Sequence, residues 1–184
     1  MYEADIESVL VDEARIRRRV GELSERISAD HAGHDVLLVG VLKGAVILMA
    51  DLARRLEIPH QVDFMATSSY GSATQTSGVV RLLKDLGQDI RDRHVILVED
   101  IVDTGLTLRY LLDLLASRGP ASLEVCSLLA KPDELRADIS VRYKGFDIPS
   151  LFVVGYGLDY AERYRNLPFV GTLKPEVYRQ PPPG

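Results

Sequence analysis

The segment Val95-Ile96-Leu97-Val98-Glu99-Asp100-Ile101-Val102-Asp103-Thr104-Gly105-Leu106-Thr107 holds the densest chemistry in the chain. Four apolar residues run into two adjacent carboxylates, a third follows at Asp103, and Thr-Gly-x-Thr then leads into a helical pattern. A buried strand ending in paired acids carries a like-charge and desolvation cost. Mg²⁺, or sugar hydroxyls donating hydrogen bonds, would offset that cost. The Thr104-Gly105-Leu106-Thr107 turn enters a helix at its N-terminus, where free backbone N–H groups and two hydroxyls make a seat for a phosphate dianion. Gly105 lets the backbone approach closely. One end of the loop therefore suits a cation and hydroxyls, and the other suits a phosphate. A ribose 5-phosphate carrying a magnesium-bound pyrophosphate has that pattern. A solvated acidic turn with Thr107 as a helix cap explains neither the paired acids nor their place on a buried strand.

Other strand ends carry related chemistry. Lys43-Gly44 follows the apolar run Val36 to Val41, so a cation sits beside a glycine that exposes backbone N–H groups. Such a turn binds pyrophosphate, or is simply a strand-to-helix turn with a solvated lysine. Lys131 follows the run Leu123 to Leu129. An ammonium only donates, so it suits a carbonyl oxygen and favours a 6-oxopurine over adenine. The stretch Phe152 to Tyr160 supplies a ring able to stack on a purine, bare backbone at Val153 and an acid at Asp159. Arg165 follows as a candidate for a leaving pyrophosphate. Taken alone, Phe152 is equally a core residue and Asp159 a turn residue.

These residues need elements to hold them. Asp12 caps a predicted helix in which Ile16, Val20, Leu23 and Ile27 recur at helical spacing until His31 to Gly33. Val36 to Val41, Gln61 to Ser69, His94 to Val98, Leu123 to Leu129 and Leu151 to Val154 read as strands, with a returning strand at Val79 to Leu83. Ala45 to Leu56 and Leu106 to Arg118 read as helices, the latter stopped by Gly119-Pro120. Tyr70 to Gly78 is small and polar and reads as a mobile loop. Strands alternating with helices predict an α/β fold: a mostly parallel twisted sheet with helices on both faces. Ligands in such sheets bind beyond the carboxyl ends of the strands, where Lys43, the acidic run and Lys131 all fall.

At these residues the sequence resembles a known family. Glu99-Asp100 through Thr107 is similar to the phosphoribosyl-pyrophosphate motif of the type I phosphoribosyltransferases. Leu151 to Tyr164 is similar to the base-binding region of the hypoxanthine-guanine members. The resemblance runs from about Ile6 to about Tyr178. It implies one phosphoribosyltransferase domain over 1–184, with a small hood from about 1–12 and 145–178 and a frayed tail at 179–184. It implies that Lys43 and Gly44 form the pyrophosphate loop, often with a cis peptide before the lysine, and that Ser69-Tyr70 opens the lid loop. By the same resemblance Glu99 and Asp100 hold the ribose hydroxyls, and Thr104, Gly105, Leu106 and Thr107 hold the 5′-phosphate. Asp103 is then the catalytic base, acting at purine N7. Lys131 contacts the 6-oxo group, Phe152 stacks on the base, Val153 reads its edge through the backbone, and Arg165 meets pyrophosphate. The implied cofactor is Mg²⁺, with Glu99, Asp100 and Asp159 as its residues and Asp159 acting through water. The implied partners are 5-phosphoribosyl-1-pyrophosphate and a 6-oxopurine, hypoxanthine or guanine, in a purine-salvage enzyme that is a homodimer or homotetramer. One departure is Leu106, where some members have lysine; the backbone cradle does not depend on it.

Composition sets the outer bounds. The chain has 184 residues, 46% hydrophobic and 27% charged, which suits a single globular domain. A net charge of −5 argues against nucleic acid as a partner, and the Arg15 to Arg19 cluster reads as a solvated helix face. No apolar run is long enough to span a bilayer, so no membrane partner is expected. The lone Cys126 lies in an apolar run and reads as a buried, inert thiol, which fits a cytoplasmic protein. Competing readings are a phosphoryl-accepting signalling domain, a regulatory protein of the same fold, and a phosphoribosyltransferase for another base such as xanthine. The first would place its acidic pair near the N-terminus, and here the pair is mid-chain.

Overall fold

A computed structural model of the chain describes residues 2–69 and 80–179. Its main sheet contains β2 (Val36–Leu42), β3 (His60–Ser69), β4 (Val80–Lys84), β5 (His94–Val102), β6 (Ser122–Ala130) and β7 (Tyr143–Asp147) in the spatial order β4-β3-β2-β5-β6-β7. Every pairing is parallel except β3 with the edge strand β4. The continuous apolar runs of β2, β5 and β6 are central because only strands covered on both faces bury every residue. Alternation divides their side chains. Leu38, Ile96, Val98, Cys126 and Leu128 face one core, under α1 (Glu13–Asp30) and α2 (Val46–Ala53). Leu37, Val39, Val95, Leu97 and Val125 face the other, under α3 (Leu106–Ala116).

The capping signal at Asp12 is used as expected: its carboxylate accepts from the Arg15 N–H at 2.8 Å. Ile16, Val20, Leu23 and Ile27 form the buried stripe of α1. Helix α2 is shorter than the predicted Ala45–Leu56 span, and Arg54 to Leu56 close it with turn hydrogen bonds. Helix α3 ends at Ala116 rather than Arg118. Cys126 is fully buried, and burial pushes its thiol up to about 12.

Two differences matter for the site. The strand expected to stop at Val98 runs on to Val102, because Glu99, Ile101 and Val102 keep parallel partners in β6. The paired carboxylates therefore lie inside the ladder. Leu151 to Val154 is not a strand: it makes only the bridge Val154–Gly171. The sheet edge is taken instead by β7, whose alternation of exposed and buried residues suits an edge. Pro149, lacking an N–H, follows just after β7 ends.

The chain termini build a second layer. β1 (Ile6–Val11) pairs antiparallel with β8 (Val170–Leu173), followed by α4 (Pro175–Arg179). Val154, Tyr164, Leu167 and Leu173 form its small core. This layer draws on the segments expected to form a hood, about 1–12 and 145–178, of which residues 145–147 belong instead to the main sheet. Arg179 closes α4, and residues 180–184 of the expected tail lie outside the described residues.

Candidate active site

Glu99 and Asp100 are neighbours on one strand, so their side chains leave on opposite faces. Glu99 lines a cleft of about 110 Å³ with Asp103, Thr104, Gly105 and Thr107. Asp100 turns to the Lys43-Gly44 loop so closely that a Cβ on Gly44 would overlap its carboxylate. Glu99 is only 8% exposed. Burial first, and the Asp100 charge second, push its carboxyl well above the usual range. Burial likewise lifts Asp100 to about 6, against the pull of the Ile101 N–H that it accepts at 2.7 Å and of the Arg165 charge. Burial disfavours the ionised form of both carboxyls, which suits a ligand that supplies hydrogen bonds or positive charge.

The adjoining turn is shaped by Gly105, whose φ of +77° is left-handed; a side chain there would also crowd Leu135 and Ile139. Among the described residues no side chain caps the start of α3, whose first N–H groups, like those of any helix, have no partner within the helix. The Leu106 N–H reaches Thr104 Oγ1 only at 3.5 Å. Leu106 itself is exposed.

The second loop and the hood meet at their backbones. The Leu42–Lys43 peptide is cis. A Cβ on Gly157 would overlap the Gly44 carbonyl, so this approach needs a glycine at 157. Arg165 donates to the Gly157 carbonyl at 2.8 Å and pairs with Asp159 at 2.8 Å. Among the described residues its Nε is buried without a hydrogen-bond partner. Glu162, not anticipated from sequence, pairs with Lys43 at 3.0 Å.

On the other side Lys131 Nζ lies 3.1 Å from Asp103 Oδ2, so the expected base and the expected 6-oxo contact already touch. The Lys131 N–H is fixed to the Val102 carbonyl at 2.9 Å. Phe152 is 51% exposed, which removes the core reading of that ring. Its edges meet Tyr160 and Tyr178 at centroid distances of 6.0 and 5.9 Å. Val153 is buried. Phe152 lines a groove with Tyr178 and Thr172, and Lys131 lines one with Pro132, Leu135 and Ile139. Ser69 ends β3, pairing with Val80; Tyr70 and the rest of the loop to Gly78 lie outside the described residues.

Among the described residues no three acidic, histidine or cysteine side chains converge on a metal cage. Glu99, Asp100 and Asp159 are therefore not a closed ligand set. They fit a magnesium ion that arrives with phosphate oxygens and needs only one or two carboxylates from the protein. Glu162 and the Tyr160–Tyr178 pair escaped the sequence reading because exposed charge and scattered aromatics have no spacing signature. The doublet Gly155-Tyr156-Gly157 was the one available signal of a close backbone approach.

The geometry has counterparts among known proteins. Residues 8–161 match the phosphoribosyl transferase domain family. The hypoxanthine-guanine phosphoribosyltransferase of Mycobacterium tuberculosis is 55% identical, over 97% of this chain and 92% of that protein. The enzyme of the same name from Bacillus subtilis is 47% identical, over 97% of this chain and 99% of its own. The crystal structure of a hypoxanthine phosphoribosyltransferase from Staphylococcus aureus superposes with a TM-score of 0.92 at 46% identity, covering 95% of each chain. A parallel sheet whose acidic strand runs into an uncapped helix start, matched along its length in this way, leaves one assignment: the chain belongs to the phosphoribosyltransferase family. Within it the group is that of the hypoxanthine-guanine phosphoribosyltransferases, and the protein is an enzyme, a transferase.

Proposed function

We propose that this purine-salvage enzyme transfers the 5-phosphoribosyl group from 5-phosphoribosyl-1-pyrophosphate to hypoxanthine or guanine, giving IMP or GMP and pyrophosphate. The observation that carries this is the loop from Glu99 to Thr107, where two buried, charge-starved carboxyls stand beside a free helix N-terminus. The ribose diol donates to Glu99 and Asp100, and the 5′-phosphate sits on the backbone of Thr104 to Thr107. As the bond to pyrophosphate breaks, the ribosyl carbon becomes cationic, and the two carboxylates favour that charge. Lys43, Gly44 and Arg165 hold the departing pyrophosphate. Glu99, Asp100 and Asp159 would hold a magnesium ion together with the substrate, and the ion would supply positive charge to the leaving group.

Lys131 orients the base through its 6-oxo group, which an adenine lacks. Asp103 takes the proton at N7, and its contact with Lys131 keeps its carboxylate next to the base. Phe152 offers an exposed face for stacking, and Val153 offers its backbone. The single cysteine, buried and unpaired, supports a cytoplasmic setting. A homodimer or homotetramer is the assembly proposed. A steady-state assay of hypoxanthine, guanine, xanthine and adenine with the sugar diphosphate, with and without Mg²⁺, tests the reading. Magnesium-dependent turnover of hypoxanthine or guanine supports it; a preference for adenine, or no transfer at all, refutes it.

A further inference from the structure

The turn from Asp159 to Arg165 brings an extra charge into the corner assigned to pyrophosphate. The Glu162 carboxylate lies 3.0 Å from Lys43 Nζ and 3.4 Å from Arg165 Nη2. These are the two cations that the leaving group would need. The turn is built to put it there. Ala161, Glu162 and Tyr164 have φ values of +52°, +61° and +75°, a region that non-glycine residues rarely adopt. The Glu162 N–H donates to Asp159 Oδ2 at 2.9 Å, closing the turn on the acid that pairs with Arg165. Two cations thus face two carboxylates, with the Asp100 carboxyl close by.

We propose that Glu162 is an internal stand-in for the leaving group: its carboxylate holds Lys43 and Arg165 in the empty enzyme, yields them when the sugar diphosphate binds, and returns to help expel pyrophosphate. The inference rests on the reading of this corner as the pyrophosphate site. Of the two carboxylates, Glu162 is the one able to move. Its side chain and that of Lys43 are each 66% exposed, so their pairing is weak and displaceable. Asp159 is 29% exposed, is held by Arg165 at 2.8 Å, and anchors the turn through the Glu162 N–H. A multiply charged pyrophosphate meets the Glu162 charge as a direct competitor.

Isothermal calorimetry of inorganic pyrophosphate with Mg²⁺, on the whole enzyme, tests this. Glu162→Gln keeps the shape and removes the charge, and it should bind pyrophosphate about 3- to 30-fold more tightly than the wild type. Product inhibition by pyrophosphate should strengthen in parallel. Glu162→Asp keeps the charge and should stay within about 3-fold of the wild type. The gain in Glu162→Gln should shrink near ~1 M salt, where charges are screened within about 3 Å. A merely structural role would weaken binding or leave it alone. If the wild type binds pyrophosphate and Glu162→Gln binds it no more tightly, the displacement is overturned and the site reading stands. If the wild type binds none, the site reading falls and the stand-in with it.

Discussion

Asp100→Asn should make the empty protein more stable while ending its use of the sugar diphosphate. The Asp100 carboxyl is lifted from 3.8 to about 6, mainly by burial. The folded state then holds the proton more tightly than the unfolded chain. Stability therefore falls as pH rises through that window and stays reduced above it. A lift of this size is worth about 3 kcal/mol. Asp100 keeps some contact with solvent, and screening leaves about 1–2 kcal/mol. An asparagine escapes this cost and still accepts the Ile101 N–H, now at 2.7 Å from the carboxylate. With a urea slope of ~2 kcal/mol/M, the unfolding midpoint at about pH 8 should rise by about 0.5–1 M. At about pH 4 the native carboxyl is largely protonated and most of the gain should vanish. Urea titrations of both proteins at the two pH values, without ligand, check the argument. A midpoint at or below wild type at the higher pH, or an equal gain at both, would show that burial of this carboxylate is not the cost described. Stability gained where binding is lost is the usual mark of a site built at the expense of the fold.

Asp103→Asn should lower turnover by about 10²–10⁴-fold with little change in sugar-diphosphate binding; near-normal rates in a steady-state assay would remove Asp103 as the base. Lys131→Ala breaks the 3.1 Å contact with Asp103 and should weaken 6-oxopurine use far more than sugar-diphosphate binding, and calorimetry giving the reverse order would refute its assignment. Gly44→Ala drives a methyl into the Asp100 carboxylate and should cost at least about 10-fold in sugar-diphosphate affinity with the circular-dichroism spectrum unchanged; unaltered affinity would mean that the Gly44–Asp100 approach is incidental.

The parts of the fold legible in the sequence are those with one dominant signal. The apolar runs at Val36, His94 and Leu123 are central strands because they are buried on both faces, and the Asp12 cap with its helical stripe produced α1. β1, β7 and β8 were not legible. Each is short, and each is fixed by its partner rather than by its own pattern. The same difference explains Leu151 to Val154: Leu151 and Phe152 stay exposed, and Val153 and Val154 are buried by packing instead of by a ladder. In the site, residues at strand ends could be found because the sheet dictates where ligands lie. Glu162 could not, since its partners are Lys43, far away in sequence, and Arg165, reached only through a turn of left-handed residues.

A crystal structure of the enzyme with 5-phosphoribosyl-1-pyrophosphate and Mg²⁺ tests the central claim most directly. The account places the ribose hydroxyls on Glu99 and Asp100 and the 5′-phosphate on the amides of Thr104 to Thr107. A sugar diphosphate bound away from that loop, or bound with its phosphate and diol ends reversed, would contradict it.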